Sequence, residues 1–182
     1  TSANTFPWNT TSSNKVQYIY APSIFSTSGG GAGTPAPVGY IITKVYVKFS
    51  ATVNATNTYT NFTISMGQNM GSINNYPQAP ATTGVAFNTG LTQVFYQASG
   101  FALTGITANA WYGFTLQTPF AYDPTQALIV EMKSNNATAA GNSVATVTTA
   151  GISQRIYAGY AATTGTANTL LTPFGFDMIP GS

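Results

Sequence analysis

The ionisable chemistry this chain offers near neutral pH comes from three carboxylates, Asp123, Glu131 and Asp177, and five cations, Lys15, Lys44, Lys48, Lys133 and Arg155. It has no histidine and no cysteine. Asp123 and Glu131 are the only nearby pair of acids, and a hydrolytic pair would have to face across a cleft at about 5 to 9.5 Å. Asp123 precedes Pro124, as at the start of a turn. Glu131 sits in an alternating strand run, on the face away from Leu128, Val130 and Met132. That face reads as the wetter one, with Lys133, Lys44 or Lys48 as partners for Glu131. Both acids therefore read as structural. A calcium cage draws on six to eight oxygens, usually several of them carboxylates, so three acids supply no rich cage and no metal site is expected, the alternative being one ion held by Asp123 or Asp177 with backbone carbonyls. Serines have no histidine to activate them, and no lysine stands in a nucleophile motif. The stretch Gly29 to Gly33 lacks a lysine and a following helix, so it is a loop and not a phosphate cradle. Acid–base catalysis lacks its usual groups, and the expectation is a protein that is not an enzyme and carries no cofactor.

The aromatics are the more informative class. Tyr46 shares a strand face with Lys44 and Lys48, and Tyr46 and Trp111 are the candidate ligand-binding residues, able to stack on sugar rings. Phe6-Pro7-Trp8 is an apolar knot in an otherwise polar arm spanning residues 1–14. An ordered arm requires Phe6 and Trp8 to fill a groove, either on its own domain or on a neighbouring copy. The expectation taken here is that Phe6 and Trp8 are interface residues between subunits, and that deleting the arm leaves the remaining sheet structure intact.

The elements that must position these residues have a period of two. Val45, Val47 and Phe49 alternate with Lys44, Tyr46 and Lys48, as in a half-buried antiparallel strand. Phe62, Ile64 and Met66 repeat the pattern, as do Leu128, Val130 and Met132, and Tyr112, Phe114 and Leu116. Further strands are expected over 16–21, 93–97, 144–149, 153–160 and 170–178. Gly- and Pro-rich segments at 28–37 and 71–90 separate them, and 135–141 reads as a hairpin loop. No segment holds a helical period for three turns. The expected fold is all-β, an antiparallel sandwich or jelly roll over residues 15–182 preceded by the arm.

Composition bounds the partners. The chain has 182 residues, 43% hydrophobic and only 4% charged, with net charge +2. An ordinary soluble domain carries roughly 25% charge, so copies of this one repel each other weakly. Five scattered cations make no phosphate-binding patch, which excludes nucleic acid. No apolar run approaches the ~20 residues of a membrane span. The first residues lack a signal-peptide pattern, so a mature exported form is expected. Sequons at Asn9, Asn54, Asn61 and Asn136 are what chance provides in a chain this rich in Asn and Thr.

Several segments, in order, resemble a β-sandwich domain of secreted and cell-surface proteins of the Bacteroidota. Lys15-Val16-Gln17-Tyr18-Ile19-Tyr20 resembles that family's opening strand. Gly39 to Phe49 is similar to its "G-x-I-x-x-I/V-x-F" strand. Asn61-Phe62-Thr63-Ile64-Ser65-Met66-Gly67 is similar to "N-F-T-I-x-M/L-G", its most distinctive element. Gly113 to Asp123 resembles "F-x-L-x-x-P-F-x-W/Y-D-G", Leu128 to Met132 the strand that follows, and Thr172 to Asp177 the closing "R-P-N-I/V-R-F". The chain departs from the pattern in its scarcity of charge and in Phe174 and Gly175, where Arg is common. No sorting domain follows, so an excised or processed module is expected. The resemblance implies an exported, adhesin-like module of the type IX secretion class, with no chemistry attached to it. The functional expectation is an extracellular, non-catalytic structural or adhesive subunit that associates with copies of itself into a surface assembly or filament, with exposed strand edges as the route. The alternative is a carbohydrate-binding module whose partners are cell-surface glycans.

Overall fold

A computed structural model describes residues 2–5, 7–8, 13–26, 36–68, 82–137, 141–148 and 154–182. The strands in chain order are β1 (Ser2–Asn4), β2 (Asn14–Tyr20), β3 (Tyr40–Lys48), β4 (Thr58–Thr60), β5 (Phe62–Gly67), β6 (Thr82–Ala86), β7 (Thr92–Gln97) and β8 (Phe101–Ala102). They continue with β9 (Trp111–Tyr122), β10 (Leu128–Ser134), β11 (Asn136–Ala137), β12 (Val144–Thr148), β13 (Arg155–Ala158), β14 (Thr164–Asn168), β15 (Leu170–Leu171) and β16 (Phe174–Pro180). The helix described is one short turn, α1 (Pro22–Ser26).

The protein is therefore all-β, and its strands pair antiparallel. A seven-stranded sheet has the order β6-β14-β13-β2-β10-β5-β7, and a three-stranded sheet has β16-β3-β9. Smaller sheets, β1-β12-β15 and β11-β4-β8, complete the sandwich-like arrangement, and a Phe49–Val144 bridge ties the end of β3 to β12. The large and small sheets face each other across a core in which the alternating residues meet. Val45, Val47, Phe49, Phe62, Ile64, Met66, Phe114, Leu116, Leu128 and Val130 all lie in it, as the period-two pattern requires.

Two aromatic clusters fill this core. At one end Trp8, Phe49, Tyr59, Phe62, Phe95, Phe101 and Phe114 are linked ring to ring. At the other, Tyr20, Phe25, Tyr122, Phe174 and Phe176 are linked in the same way. Among the described ring contacts none joins the two. A smaller apolar cluster, Ile19, Phe87, Ile129, Ile156 and Ala167, lies on the other face of the large sheet. That is why Ile129 is buried although it alternates with Val130.

The described residues of segment 1–14 belong to this fold. Its residues 2–4 form β1 against β12, Asn4 Oδ1 accepts from Arg155 Nη1 at 2.7 Å, and Pro7 and Trp8 are buried. Phe6 lies outside the described residues, as does the glycine loop 29–33.

With so little charge, amide side chains do the cross-linking. Gln17 Nε2 donates to the Asn88 carbonyl at 2.8 Å and its Oε1 accepts from Asn88 N at 3.0 Å. Gln68 makes the same pair of bonds with Asp123, at 2.8 and 2.9 Å. Gln117 does so with Tyr96, both at 2.9 Å. Each glutamine imitates the exchange of N–H and C=O bonds in an antiparallel ladder. Gln117 lies on β9 and Tyr96 on edge strand β7, so this clip also joins the two main sheets at one corner.

Three of the sheet edges carry features that disfavour strand addition. On β7 the Tyr96 peptide is taken by Gln117. Edge strand β16 carries a register shift between Asp177 and Met178 and ends on Pro180. Edge strand β6 is interrupted by Gly84 at φ 74°. A bulge, a proline and a left-handed residue each spoil the straight, unpaired ladder that an incoming strand needs.

Burial also sets the alkaline limit of the fold. Removal from water pushes the Tyr20, Tyr59 and Tyr112 hydroxyls above their ordinary value, and burial with the neighbouring Asp123 charge pushes Tyr122 up to about 12. A raised folded-state pKa means the native state binds the proton more tightly. The contribution is full below the unfolded value of about 10 and is lost as pH rises through the folded values. Base-induced unfolding is thus expected between about pH 10 and 12, with buried tyrosinates appearing together with loss of the β dichroism. Complete tyrosine ionisation with the sheet signal unchanged would contradict it.

Candidate functional site

The outward face of the β16-β3-β9 sheet gathers the two candidate ligand residues. Register places Lys48 opposite Trp111, Tyr46 opposite Gly113, and Lys44 opposite Thr115. On the other side Gly175 lies opposite Tyr46 and Asp177 opposite Lys44. Because side chains alternate, all of these share the face turned away from Val45, Val47 and Phe114.

Glycines make room for the rings. A Cβ on Gly113 would stand 2.7 Å from Tyr46 Cε1 and 2.5 Å from Lys44 Cε, so the phenol and the lysine stem occupy the space above that glycine. Tyr46 donates its hydroxyl proton to Asp177 Oδ2 at 2.7 Å, and Lys44 Nζ stands 4.9 Å from the Tyr46 ring centre. A Cβ on Gly175 would be 3.9 Å from Trp111 Cζ3, although β3 lies between β9 and β16. Those strands are about 9.5 Å apart, two ladder spacings. The indole must therefore lean down across β3 and cannot stand off the sheet. It stays 50% exposed, while the other tryptophan, Trp8, is at 0%.

Trp8 lies elsewhere. Its ring stacks on Phe62 at 4.8 Å and on Phe114 at 5.9 Å, with Phe49 at 5.5 Å and Tyr59 edge-on at 5.4 Å. The interface role expected of Trp8 is replaced by a core role, because the groove it fills is in its own sandwich. Phe6 lies outside the described residues.

The acids are engaged separately. Asp123 Oδ1 accepts from the Thr125 hydroxyl at 2.6 Å and from Thr125 N at 2.9 Å, and Gln126 Nε2 donates to Oδ2 at 2.9 Å. Those Thr125 bonds hold its carboxyl below the usual range. Glu131 is buried, not on a wet face. Gln17 Nε2 donates to it at 2.7 Å and Lys133 stands 3.7 Å away. Lys44 and Lys48, on the other sheet, are not its neighbours. Among the described residues no group of three acid, histidine or cysteine side chains converges as a metal site, and no helix is long and apolar enough to cross a membrane.

Cations are held by rings more than by acids. Lys15 lies 4.3 Å from the Phe87 centre, Lys133 5.1 Å from Tyr160, and Arg155 4.7 Å from Tyr157. Burial lowers the Lys15 pKa, opposed by the Glu131 charge. Two sequon asparagines serve the fold. Asn54 Oδ1 accepts from Thr56 N and Oγ1, and Asn61 Oδ1 accepts from the Tyr96 hydroxyl at 2.9 Å.

Sequence reasoning missed Gly113, Gly175 and Asp177 as members of the Trp111–Tyr46 face. A glycine inside a strand, as in Trp111-Tyr112-Gly113-Phe114, signals a close approach and was the available clue. Compared with known protein families, curated proteins and solved structures, the chain matches none.

Proposed function

We propose that this chain is a non-catalytic, extracellular structural or adhesive β-sandwich subunit that works by surface association, first of all with copies of itself, as in an adhesin-like assembly or filament. The observation that carries the reading is where its charge sits. Of the eight charged side chains, seven make a described contact within the fold: Lys15, Lys44, Lys133, Arg155, Asp123, Glu131 and Asp177. Among the described residues the exposed positions are mainly Thr, Ala and Gly. Such a surface is wetted but barely charged, so a second copy meets little repulsion. The Bacteroidota resemblance supports the extracellular setting.

Light scattering across a wide concentration range, with negative-stain imaging at the upper end, tests this. The expected result is growth of regular assemblies with concentration and little response to salt, because few charges take part. A protein that stays monomeric throughout would overturn self-association.

A further inference from the structure

We propose that the outer face of the β16-β3-β9 sheet binds an anionic polysaccharide, a uronate-bearing chain whose pyranose ring stacks on Trp111 and whose carboxylates meet Lys48 and Lys44; this deepens, and rests on, the adhesive part of the reading above. Several large rings are fully buried, with Trp8, Tyr18, Tyr20, Tyr59, Phe49 and Phe62 all at 1% exposure or less, while Tyr96 is at 37%. Trp111, at 50%, is the exception among the tryptophans. Its indole leans across β3 toward Gly175 and leaves half of its surface to solvent. A lying aromatic ring offers a flat apolar surface edged by polar groups, which is what the C–H face of a sugar ring requires.

Tyr46 is held ready beside it. Gly113 gives its ring space, and the bond to Asp177 fixes its hydroxyl end, so little side-chain freedom remains to be lost on binding. The charge on this face selects the ligand class. Lys48 stands directly across from Trp111, and Lys44 is four residues along the same strand, about 13 Å away at the strand rise. Asp177, the acid on this face, already accepts the Tyr46 proton. The face is therefore net cationic beside an exposed indole. A neutral glycan would draw on neither ammonium charge. A nucleic acid would use stacking and cations too, but two lysines neutralise too few phosphates for useful affinity.

The test is affinity electrophoresis of the intact protein through polygalacturonate, dextran or a single-stranded oligonucleotide. Retardation by polygalacturonate alone is expected, weakening as salt rises. Trp111→Ala should lower the affinity about tenfold or more, in line with the loss of one stacked ring. Lys44→Gln with Lys48→Gln should weaken binding and remove most of its salt dependence. Both variants should keep the β dichroism and the assembly behaviour of the parent, since neither side chain is in the core. Equal retardation by dextran, preference for the oligonucleotide, binding that survives Trp111→Ala, or no retardation would each overturn the site. Assembly is measured on the same samples, so loss of this proposal and loss of self-association are told apart.

Discussion

Deleting residues 1–14 should unfold this protein or bring it close to unfolding. The composition of the segment suggests a dispensable polar arm, but its Trp8 is the centre of an aromatic cluster and is at 0% exposure. Truncating a buried tryptophan costs about 3–5 kcal/mol, against a typical total of about 5–15 kcal/mol. For a domain of this size Trp8→Ala should lower Tm by about 6–20 °C. The deletion removes more: the β1–β12 pairing, the Asn4–Arg155 bond, and the Pro7 carbonyl that accepts from Ser134 Oγ. Trp8→Phe should cost less than Trp8→Ala. It keeps most of the ring contacts, and the indole Nε1 it gives up is buried with no hydrogen-bond partner among the described residues. Thermal melts followed by dichroism decide the matter. A deleted protein with both parental spectrum and parental Tm would show that Trp8 is not part of the core.

The same residue shows what was legible in the sequence. A tryptophan in a polar arm says that something must cover it, but not what does. The cover is a pocket made by Phe49 just past β3, Tyr59 of β4, Phe62 of β5 and Phe114 of β9, residues far apart in the chain. Strands with strict alternation, such as Lys44 to Phe49 and Leu128 to Lys133, were readable because one buried face imposes the pattern. The run Thr164-Gly165-Thr166-Ala167-Asn168 was not, having almost no apolar side chain to alternate. It is a strand because β13 and β6 pair with it on both sides. Glu131 was read as solvent-facing because alternation names the face but not its cover. Gln17, Phe87 and Asn88 cover that face. Residue type pointed to Tyr46 and Trp111, yet their meeting depends on the β3–β9 register, which shifts between Ile42 and Lys44. No local pattern announces that shift.

Phe62→Ala should be the most damaging single truncation after Trp8, and its coupling to Trp8 tests the cluster directly. Phe62 is at 0% exposure and lies 4.8 Å from the Trp8 ring, 4.9 Å from Phe101, 5.7 Å from Phe114 and 5.9 Å from Phe95. Its removal opens a cavity between rings held by both sheets, whose strands limit how far they can collapse inward. The expected cost is about 3–5 kcal/mol. Trp8→Ala opens the adjoining space, so the double variant should lose less than the two single losses added, with a coupling of about 0.5–3 kcal/mol. Phe174→Ala provides the control. Phe174 packs on Tyr20 at 5.2 Å in the other aromatic cluster, which shares no described ring contact with Trp8. Its cost should add to that of Trp8→Ala within about 0.3–0.5 kcal/mol. Denaturant melts of the three single and two double variants, with the parent, give both numbers. Should Trp8 and Phe62 prove additive, or Phe174 prove coupled to Trp8 as strongly as Phe62 is, the division of this core into two aromatic clusters would have no energetic meaning.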